Sequence, residues 1–472
     1  MAPPPRNAAT DPAAEHAVPA AAPAPADRVG ALSSGDPYLP TSGNGGYRVV
    51  DYDLDLDYRV RTNRLDSTAI ITAVATQDLT RFSLDLTGLV ASKVSVNGAR
   101  AGKFSQSGGK LVVKPSTPLK NGAQFTVMVR YGGFPHPAHS AWGDVGWEEL
   151  SDGVLVAGQP SGAPTWFPCD DSPAAKALYT IRIACDAPYR ALANGALVSR
   201  VTKASRTVWK YRVDRPMATY LATIQIGMYN EHLLPGTTFG TEHHVTQRTF
   251  LPDDLISNAA HDFADQPHML QFFERLFGEY PFDDYSVVVT DDELEIPLEA
   301  HGMAVFGRNH IDGKGSTERL IAHELAHQWF GNSVTVASWQ HIWLHEGFAC
   351  YAEWLWSEES GSASCDTVAR QYWARLARLR QDLVISDPGP DLMFDDRVYK
   401  RGALALHALR LTMGEPDFFV FLGDWVTSNR YGTVTTADFV AAAEDASDVP
   451  VRNLLKSWLD TTRLPQLPQP PR

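Results

Sequence analysis

Two histidines, with a glutamate beside the first, form the strongest chemical signal in the sequence. His323 and His327 lie four residues apart in the segment His-Glu-Leu-Ala-His. On an α-helix this spacing places both imidazoles on one face, one turn apart, where both can bind one zinc ion. Glu324 follows the first histidine, close enough to contact a water molecule without itself binding the metal. The segment therefore predicts the zinc centre of a hydrolase.

Glu346 is the candidate for the third ligand, since a hydrolytic zinc site uses three protein ligands and leaves a position for water. Eighteen residues separate it from His327, enough for the chain to turn and present a second helix to the first. Glu353 lies seven residues further on, on the same helical face, and is a candidate to orient a ligand histidine. The short motif alone can arise by chance in a chain with 15 histidines, and a glutamate at this distance lowers those odds.

The metal-binding segment is predicted to lie on one helix, Thr317–Phe330. Ser316 can cap its N-terminus, and Gly331 can end it. Apolar residues at helical spacing predict further helices in the second half of the chain. These helices are Pro267–Phe277, Gly347–Ser357, Asp366–Leu383, Arg401–Met413 and Val451–Thr461, and one strand interrupts them at Tyr285–Val289.

The first half of the chain has the pattern of β-strands. Residues 52–58 alternate Tyr or Leu with Asp, which is the period-2 pattern of a strand with one buried face. Further short apolar segments follow, separated by Asn-Gly and Gly-Gly pairs that are typical of turns. The expected organisation is a disordered Ala/Pro-rich tail at residues 1–37, an antiparallel β domain at 38–232 and a mainly helical domain at 233–472.

Composition excludes some classes of protein. The 472 residues carry a net charge of -14, which argues against a nucleic-acid-binding protein because no basic stripe offsets it. The four cysteines are too few for a disulfide framework and show no C-x-x-C spacing, so reduced thiols are expected. No apolar run is long enough for a transmembrane helix, and the first residues lack the apolar stretch of a signal peptide. A cytoplasmic protein with no membrane partner is expected, and its oligomeric state is left open.

Four segments together resemble the aminopeptidase N family of gluzincins. Residues 323–332 (HELAHQWFGN) resemble the metal helix of the family nearly residue for residue. Residues 343–349 (WLHEGFA) are similar to the second-helix motif, with His345 where the family usually has asparagine. Residues 399–402 (YKRG) are similar to the family's Y-x-K-G, and residues 166–177 resemble its F-P-C-x-D-x-P-x-x-K-A. The resemblance extends over about residues 38–465.

The resemblance implies an α+β multidomain fold, in which an N-terminal antiparallel β domain precedes a mainly helical, thermolysin-like catalytic domain. It also implies a short form that lacks the C-terminal helical domain of larger members. The implied protein is a zinc metallo-aminopeptidase with one Zn2+ per chain, held by His323, His327 and Glu346. Glu324 is then the general base that activates the attacking water. Tyr399 is the implied hydrogen-bond donor to the oxyanion.

The implied substrates are peptides with a free N-terminus, and the implied recognition residues are Glu299 and Gln159. Residues 296–300 (IPLEA) occupy the place of the family's G-A-M-E-N motif and keep only its glutamate. Pro297 has no N–H, so a substrate contact normally made by that amide is missing. Glu295, just before the motif, either selects basic first residues or belongs to a solvated acidic loop.

Two alternatives remain open from the sequence. One is a relative of the leukotriene hydrolases, which open an epoxide and also cleave peptides. These relatives carry a C-terminal helical domain, whereas this chain ends within about 70 residues of its last catalytic motif. The other is a metal-free binding scaffold that has kept the fold, although such descendants usually lose ligands that are all present here.

Overall fold

The structure is a computed structural model, which describes residues 28–233, 237–239 and 243–469. The alternating segment at residues 52–58 forms the strand expected from its pattern. Within it the Tyr and Leu side chains are buried, while the aspartates between them lie on the more exposed face. Most of the predicted tail, residues 1–27, lies outside the described residues. Residues 28–37 contact the folded protein, since Val29 forms a bridge with Arg81 and the carboxylate of Asp36 accepts the amide N–H of Trp339 at 2.8 Å.

The first half of the described chain is almost entirely strands. They are β1 (Tyr47–Arg59), β2 (Arg64–Ala75), β3 (Phe82–Asp85), β4 (Val90–Val96), β5 (Ala99–Arg100), β6 (Lys103–Ser107), β7 (Lys110–Lys114), β8 (Gln124–Gly133), β9 (Ala138–Ser140), β10 (Gly143–Leu150), β11 (Gly153–Ala157), β12 (Ala177–Asp186), β13 (Arg190–Ala193), β14 (Ala196–Lys203), β15 (Arg206–Met217) and β16 (Ile224–Gly227).

These strands form three sheets that are mostly antiparallel. The largest has eight strands in the order β14-β15-β12-β1-β2-β8-β4-β5, and in it only β1 and β12 pair in parallel. A five-stranded sheet has the order β13-β16-β11-β10-β9, and a three-stranded sheet the order β3-β7-β6. The prediction of an N-terminal antiparallel β domain is confirmed.

The second half combines the helices with a six-stranded mixed sheet and a separate two-stranded parallel sheet. Its strands are β17 (Asn230–Leu233), β18 (Thr237–Phe239), β19 (His243–Leu251), β20 (Asp284–Thr290), β21 (Leu298–Ala300), β22 (Met303–Gly307), β23 (Thr335–Val336) and β24 (Thr433–Val434). The helices are α1 (Ile256–Asp262), α2 (Gln266–Phe277), α3 (Glu318–Ala326), α4 (Trp343–Glu359), α5 (Cys365–Leu376), α6 (Asp396–Met413), α7 (Glu415–Ser428), α8 (Thr436–Ala446) and α9 (Arg452–Leu459). This half is the expected helical catalytic domain, although its mixed sheet was predicted only at β20.

Several helix boundaries differ from the sequence-based prediction, and α1, α7 and α8 were not predicted. Helix α3 ends at Ala326, so His327 is its C-terminal cap. About one turn later, three successive amides bond to carbonyls five residues back, starting with Asn332 to His327 at 3.0 Å. Helix α5 ends at Leu376, well before the predicted end at residue 383. Helix α6 begins five residues earlier than predicted, because the Asp395 side chain caps it by accepting the N–H of Arg397.

Two glycines allow α4 and α6 to cross in close contact. If Gly402 carried a side chain, its Cβ atom would lie only 2.9 Å from the Cα atom of Gly347. Any larger residue would push the helices apart at this point. Glu346 precedes the first glycine, and Tyr399 lies one turn before the second. The close crossing therefore sets the distance between a predicted metal ligand and the predicted oxyanion donor.

Two further expectations can be compared with the described residues. All four cysteines are free and buried. Among the described helices, none combines the length and the apolar character needed to cross a bilayer.

Candidate active site

His323, His327 and Glu346 meet in the interior of the catalytic domain. One ligand atom from each side chain lies within 4.8 Å of the others. The Nε2 atoms of both histidines are 3.5 Å from Oε2 of Glu346. The three side chains are buried, the histidines on α3 and at its end, the glutamate in the first turn of α4. This arrangement can hold one metal ion.

The other nitrogen of each imidazole is occupied by a fixed partner. Nδ1 of His323 bonds to Oε1 of Glu353 at 2.7 Å, and Nδ1 of His327 bonds to the carbonyl of Phe330 at 3.0 Å. Both partners are acceptors, so each Nδ1 carries a proton, which leaves Nε2 as the atom that can bind a metal ion. Zinc-binding histidines are usually oriented by such a partner, and the side chains therefore fit a zinc ion. Glu353 therefore contacts a ligand histidine, as its seven-residue spacing from Glu346 predicted.

The electrostatics of the three side chains lead to the same conclusion. Burial is the largest single effect and lowers the pKa of both histidines, but the surrounding carboxylates together raise it more. The pKa reaches about 9 for His323, through Glu346 and Glu353, and about 10 for His327, through Glu346, Glu299 and Glu324. Burial raises the pKa of Glu346, and the two imidazoles outweigh it, so the pKa lies well below its usual range. The buried carboxylate thus favours the positively charged form of the two imidazoles. A zinc cation bound between the three groups would supply that positive charge instead.

Glu324 lies beside this group without joining it. Its side chain is buried, and its Oε2 atom has no hydrogen-bond partner among the described residues. Burial raises its pKa, while His323 and His327 lower it. An unpaired carboxylate oxygen in a buried site is costly unless a ligand or water molecule contacts it. Glu324 is therefore available to a molecule bound in the cavity.

Tyr399 lies beside the metal group, in the first turn of α6. Its ring stacks near that of His323, with centroids 6.2 Å apart and planes inclined by 14°. Burial and the carboxylates of Glu346 and Glu299 raise the pKa of its hydroxyl well above the usual value. The phenol stays protonated at neutral pH and can donate a hydrogen bond.

Glu299 and Gln159 come together from the two halves of the chain. The amide of Gln159, in the loop after β11, donates to Oε1 of Glu299 at 2.5 Å. Burial raises the pKa of Glu299 to about 7, against the lowering effect of His327. Glu299 lies on β21, and the end of the metal helix holds that strand, because Gln328 bonds to the carbonyl of Ala300 at 3.2 Å.

One cavity of about 410 Å³ joins all these groups. It is lined by the seven predicted site residues together with Glu353 and several residues that sequence reasoning assigned no role in the site. The latter include Arg319, Leu320, Tyr372, Arg375, Asp396 and Lys400. Arg319 and Leu320 precede His323 by four and three residues on the same helix, so their spacing could have indicated a place in the site. Glu295 is exposed and is not among the lining residues, whereas its neighbour Ile296 is.

His345, the residue that departs from the family pattern, contributes a structural contact instead. Its Nε2 atom accepts the N–H of Val336 at 2.9 Å. Burial lowers the pKa of His345 to about 3, so the ring stays neutral and can act as this acceptor.

The described geometry can be compared with known proteins. Residues 49–221 match the peptidase M1 N-terminal domain, and residues 262–458 match the peptidase family M1 domain. A two-domain M1 zinc metallopeptidase bound to L-tryptophan is 30% identical, has a TM-score of 0.85, and covers 93% of this chain while the chain covers 100% of it. The chain belongs to the peptidase M1 family.

Other members of the family show how the match is distributed. An M1 zinc metallopeptidase from Deinococcus radiodurans, solved as a mutant with a Tyr-Ser-Ala substrate, is 29% identical with a TM-score of 0.86, over 93% of this chain and 100% of that one. Aminopeptidase M1-A of Oryza sativa is 28% identical over 327 residues, which are 64% of this chain and 36% of the relative. The chain thus spans about a third of that relative's length.

The comparisons confirm the family and the fold class predicted from the sequence. The solved relatives are zinc metallopeptidases, and the described residues bring together a His-His-Glu group that could hold a metal ion. The expected zinc cofactor of a peptidase is confirmed on both grounds.

Proposed function

We propose that this protein is a zinc metallo-aminopeptidase, which removes the first residue of peptides that have a free N-terminus. The observation that carries the proposal is the pair Gln159–Glu299 in the same cavity as the metal group. A half-buried carboxylate beside a hydrolytic centre is a binding site for an ammonium group, which the N-terminus of a peptide provides. An endopeptidase needs no such group.

His323, His327 and Glu346 hold the zinc ion in this proposal. A zinc ion bound there polarises the scissile carbonyl and makes water acidic enough to lose a proton near neutral pH. The protein positions the ligands through Glu353 and the carbonyl of Phe330, which fix both imidazole rings before the metal binds.

Glu324 takes the proton of the attacking water and passes it to the departing amine. Its free Oε2 atom supports this role, because a general base needs a lone pair directed at the reacting water. The protonated hydroxyl of Tyr399 donates to the oxygen on which negative charge develops. Its position beside His323 is consistent with that assignment.

The active unit requires both halves of the chain, residues 38–232 and 233–472 in the proposed division. Gln159 comes from the first half and Glu299 from the second. Lys176 of the first half also donates to the carbonyl of Ser333, at 2.7 Å, in the loop that follows the metal helix. The β domain therefore completes the amine site and supports the metal helix.

The experiment is a panel of fluorogenic amino-acid amides and their N-acetyl derivatives, assayed with and without a chelator. Free amides should be cleaved, acetylated ones should be inert, and the chelator should abolish cleavage until zinc is restored. Glu299→Gln should lower kcat/KM on free amides on the order of 10²-fold, because an ammonium loses its buried counter-charge. Glu295→Gln is the matched control, an exposed carboxylate four residues away that should leave the rate unchanged.

Efficient cleavage of acetylated substrates by the wild type would show an endopeptidase and refute the proposal. Equal rate losses in the Glu299 and Glu295 variants would remove the amine-binding assignment.

A cytoplasmic location is part of the proposal. The four buried free thiols support it, since reduced cysteines are the rule in a reducing compartment. Fractionation of the native cells should recover the protein with cytosolic markers, and recovery outside the cytosol would contradict this.

A further inference from the structure

The far end of the catalytic cavity is basic, in a chain whose net charge is -14. Among the described lining residues, three are cations, and each lies within 4 Å of one of two carboxylates. The cations are Arg319, Arg375 and Lys400, and the carboxylates are Glu353 and Asp396. None of the three cations takes part in the proposed chemistry.

The helix that carries the histidines gives the cavity a direction. Arg319, His323 and His327 follow one another at intervals of four residues on one face. Each interval advances about 6 Å along a helix. The His327 end lies beside the strand of Glu299, since Gln328 binds the carbonyl of Ala300. The amine end of the cavity and Arg319 therefore lie on opposite sides of the metal group.

At the basic end, two of the three cations already contact other side chains of the protein. Arg319 donates to Oε2 of Glu353 at 2.9 Å. Lys400 is buried, 3.3 Å from Sγ of Cys350 and above the ring of Tyr372. These contacts hold the two groups in place as part of the wall.

Arg375 differs from both. It lies in the last turn of α5, and 66% of its side chain is exposed. Its one ion pair among the described residues is with Asp396, at 3.9 Å, which is too long for a hydrogen bond. The guanidinium therefore presents unused N–H donors to the cavity, in the fork geometry that suits a carboxylate.

We propose that Arg375, with Arg319 next along the wall, binds a carboxylate on the departing side of the substrate. The inference rests on the proposed aminopeptidase function. An extended peptide advances about 3.4 Å per residue, so the carboxylate of a dipeptide or tripeptide lies about 4–8 Å beyond the scissile bond. Arg319 lies about 6 Å beyond His323 along the helix, which is within that range. The carboxylate is either the C-terminus of a short peptide or an acidic side chain at its second residue.

The test uses the first residue that the amide panel shows to be best, here X. The substrates are X-Ala, X-Ala-amide, X-Asp-amide and X-Asn-amide, and kcat/KM is measured for the wild type and for Arg375→Gln. The wild type should favour a carboxylate over its neutral partner by about tenfold, and the ratio should fall toward one in the variant. The preference should also weaken with added salt. Arg378→Gln, an exposed arginine three residues away outside the lining, is the control and should keep the wild-type ratio.

The two substrate pairs distinguish the sources of the carboxylate. A preference for X-Ala over its amide shows recognition of a C-terminus, and a preference for X-Asp-amide over X-Asn-amide shows recognition of a side chain. Ratios near one for both pairs in the wild type, or ratios that Arg375→Gln leaves unchanged, would overturn the inference. Failure of the wild type to cleave any single amino-acid amide would instead refute the proposed function itself.

Discussion

Replacing Gly402 with alanine should destabilise this protein, although the same change stabilises most helices. In a helix interior, alanine is favoured over glycine by about 1 kcal/mol. Here the new methyl carbon would lie 2.9 Å from Cα of Gly347, against an ordinary carbon–carbon contact of about 3.5–4.0 Å. The obstacle is backbone, which cannot rotate away, so α4 and α6 must separate by up to about 1 Å.

Overpacking of this kind costs about 1–3 kcal/mol, and more where backbone must shift, which exceeds the gain in helix propensity. We therefore expect the Gly402→Ala protein to be less stable by up to about 2 kcal/mol. The same movement separates Glu346 from Tyr399. A displacement of about 1 Å in an active site can lower the rate by about 10²-fold.

The assay is urea denaturation, with zinc content and turnover measured on the same preparations. Gly423→Ala is the matched control, because this residue is also inside a helix, α7, and no atom lies within 4 Å of the new methyl position. The urea midpoint should fall for Gly402→Ala and rise for Gly423→Ala. If both variants gain stability equally and Gly402→Ala keeps full turnover, the close crossing does not set the geometry of the site.

Four further predictions concern the site and the β domain. Glu324→Gln should retain one zinc ion and lose about 10²–10⁴-fold in kcat, since it removes the general base and no ligand; wild-type turnover would exclude that role. Tyr399→Phe should lower kcat by about 10²–10³-fold with zinc content unchanged, and an unaltered kcat would make the residue structural. Glu353→Ala should weaken zinc affinity by about 10–100-fold in chelator competition, because His323 loses the partner that orients it; equal affinity would rule this out. Burial raises the pKa of Asp170 to about 7, so between about pH 4 and 7 the folded protein holds a proton that the unfolded chain releases. Stability should fall as the pH rises through that window, and Asp170→Asn should reduce the slope of urea midpoint against pH; an unchanged slope would show that another group is responsible.

The sequence predicted the structure well where residues repeat with the period of a helix or a strand. The four-residue spacing of His323 and His327 placed both on one helical face, and the alternation at residues 52–58 predicted a strand with one buried side. Both follow from the repeat of the backbone itself, 3.6 residues per turn for a helix and two for a strand. The seven-residue spacing of Glu346 and Glu353 placed them on one face of α4 for the same reason.

Helix ends were predicted less well, because caps and long-range contacts determine them. The apolar pattern extended the metal helix to residue 330, whereas the backbone leaves the α-helical form at Ala326 and loops back. The start of α6 depends on the Asp395 side chain, whose capping hydrogen bond begins the helix before the apolar pattern does. These are differences in hydrogen bonding that a hydrophobic pattern does not record.

By itself, the sequence determined which residues form the metal group, the glutamate beside it and the order of the two halves, because the helical and strand periods indicate which residues share a face. Only the tertiary structure decided which faces meet. Gln159 reaches Glu299 across 140 residues of chain, and Arg375 enters the cavity from a helix that carries no predicted site residue. Such contacts depend on how sheets and helices pack, and close packing is set by the shapes of many side chains together rather than by any local repeat.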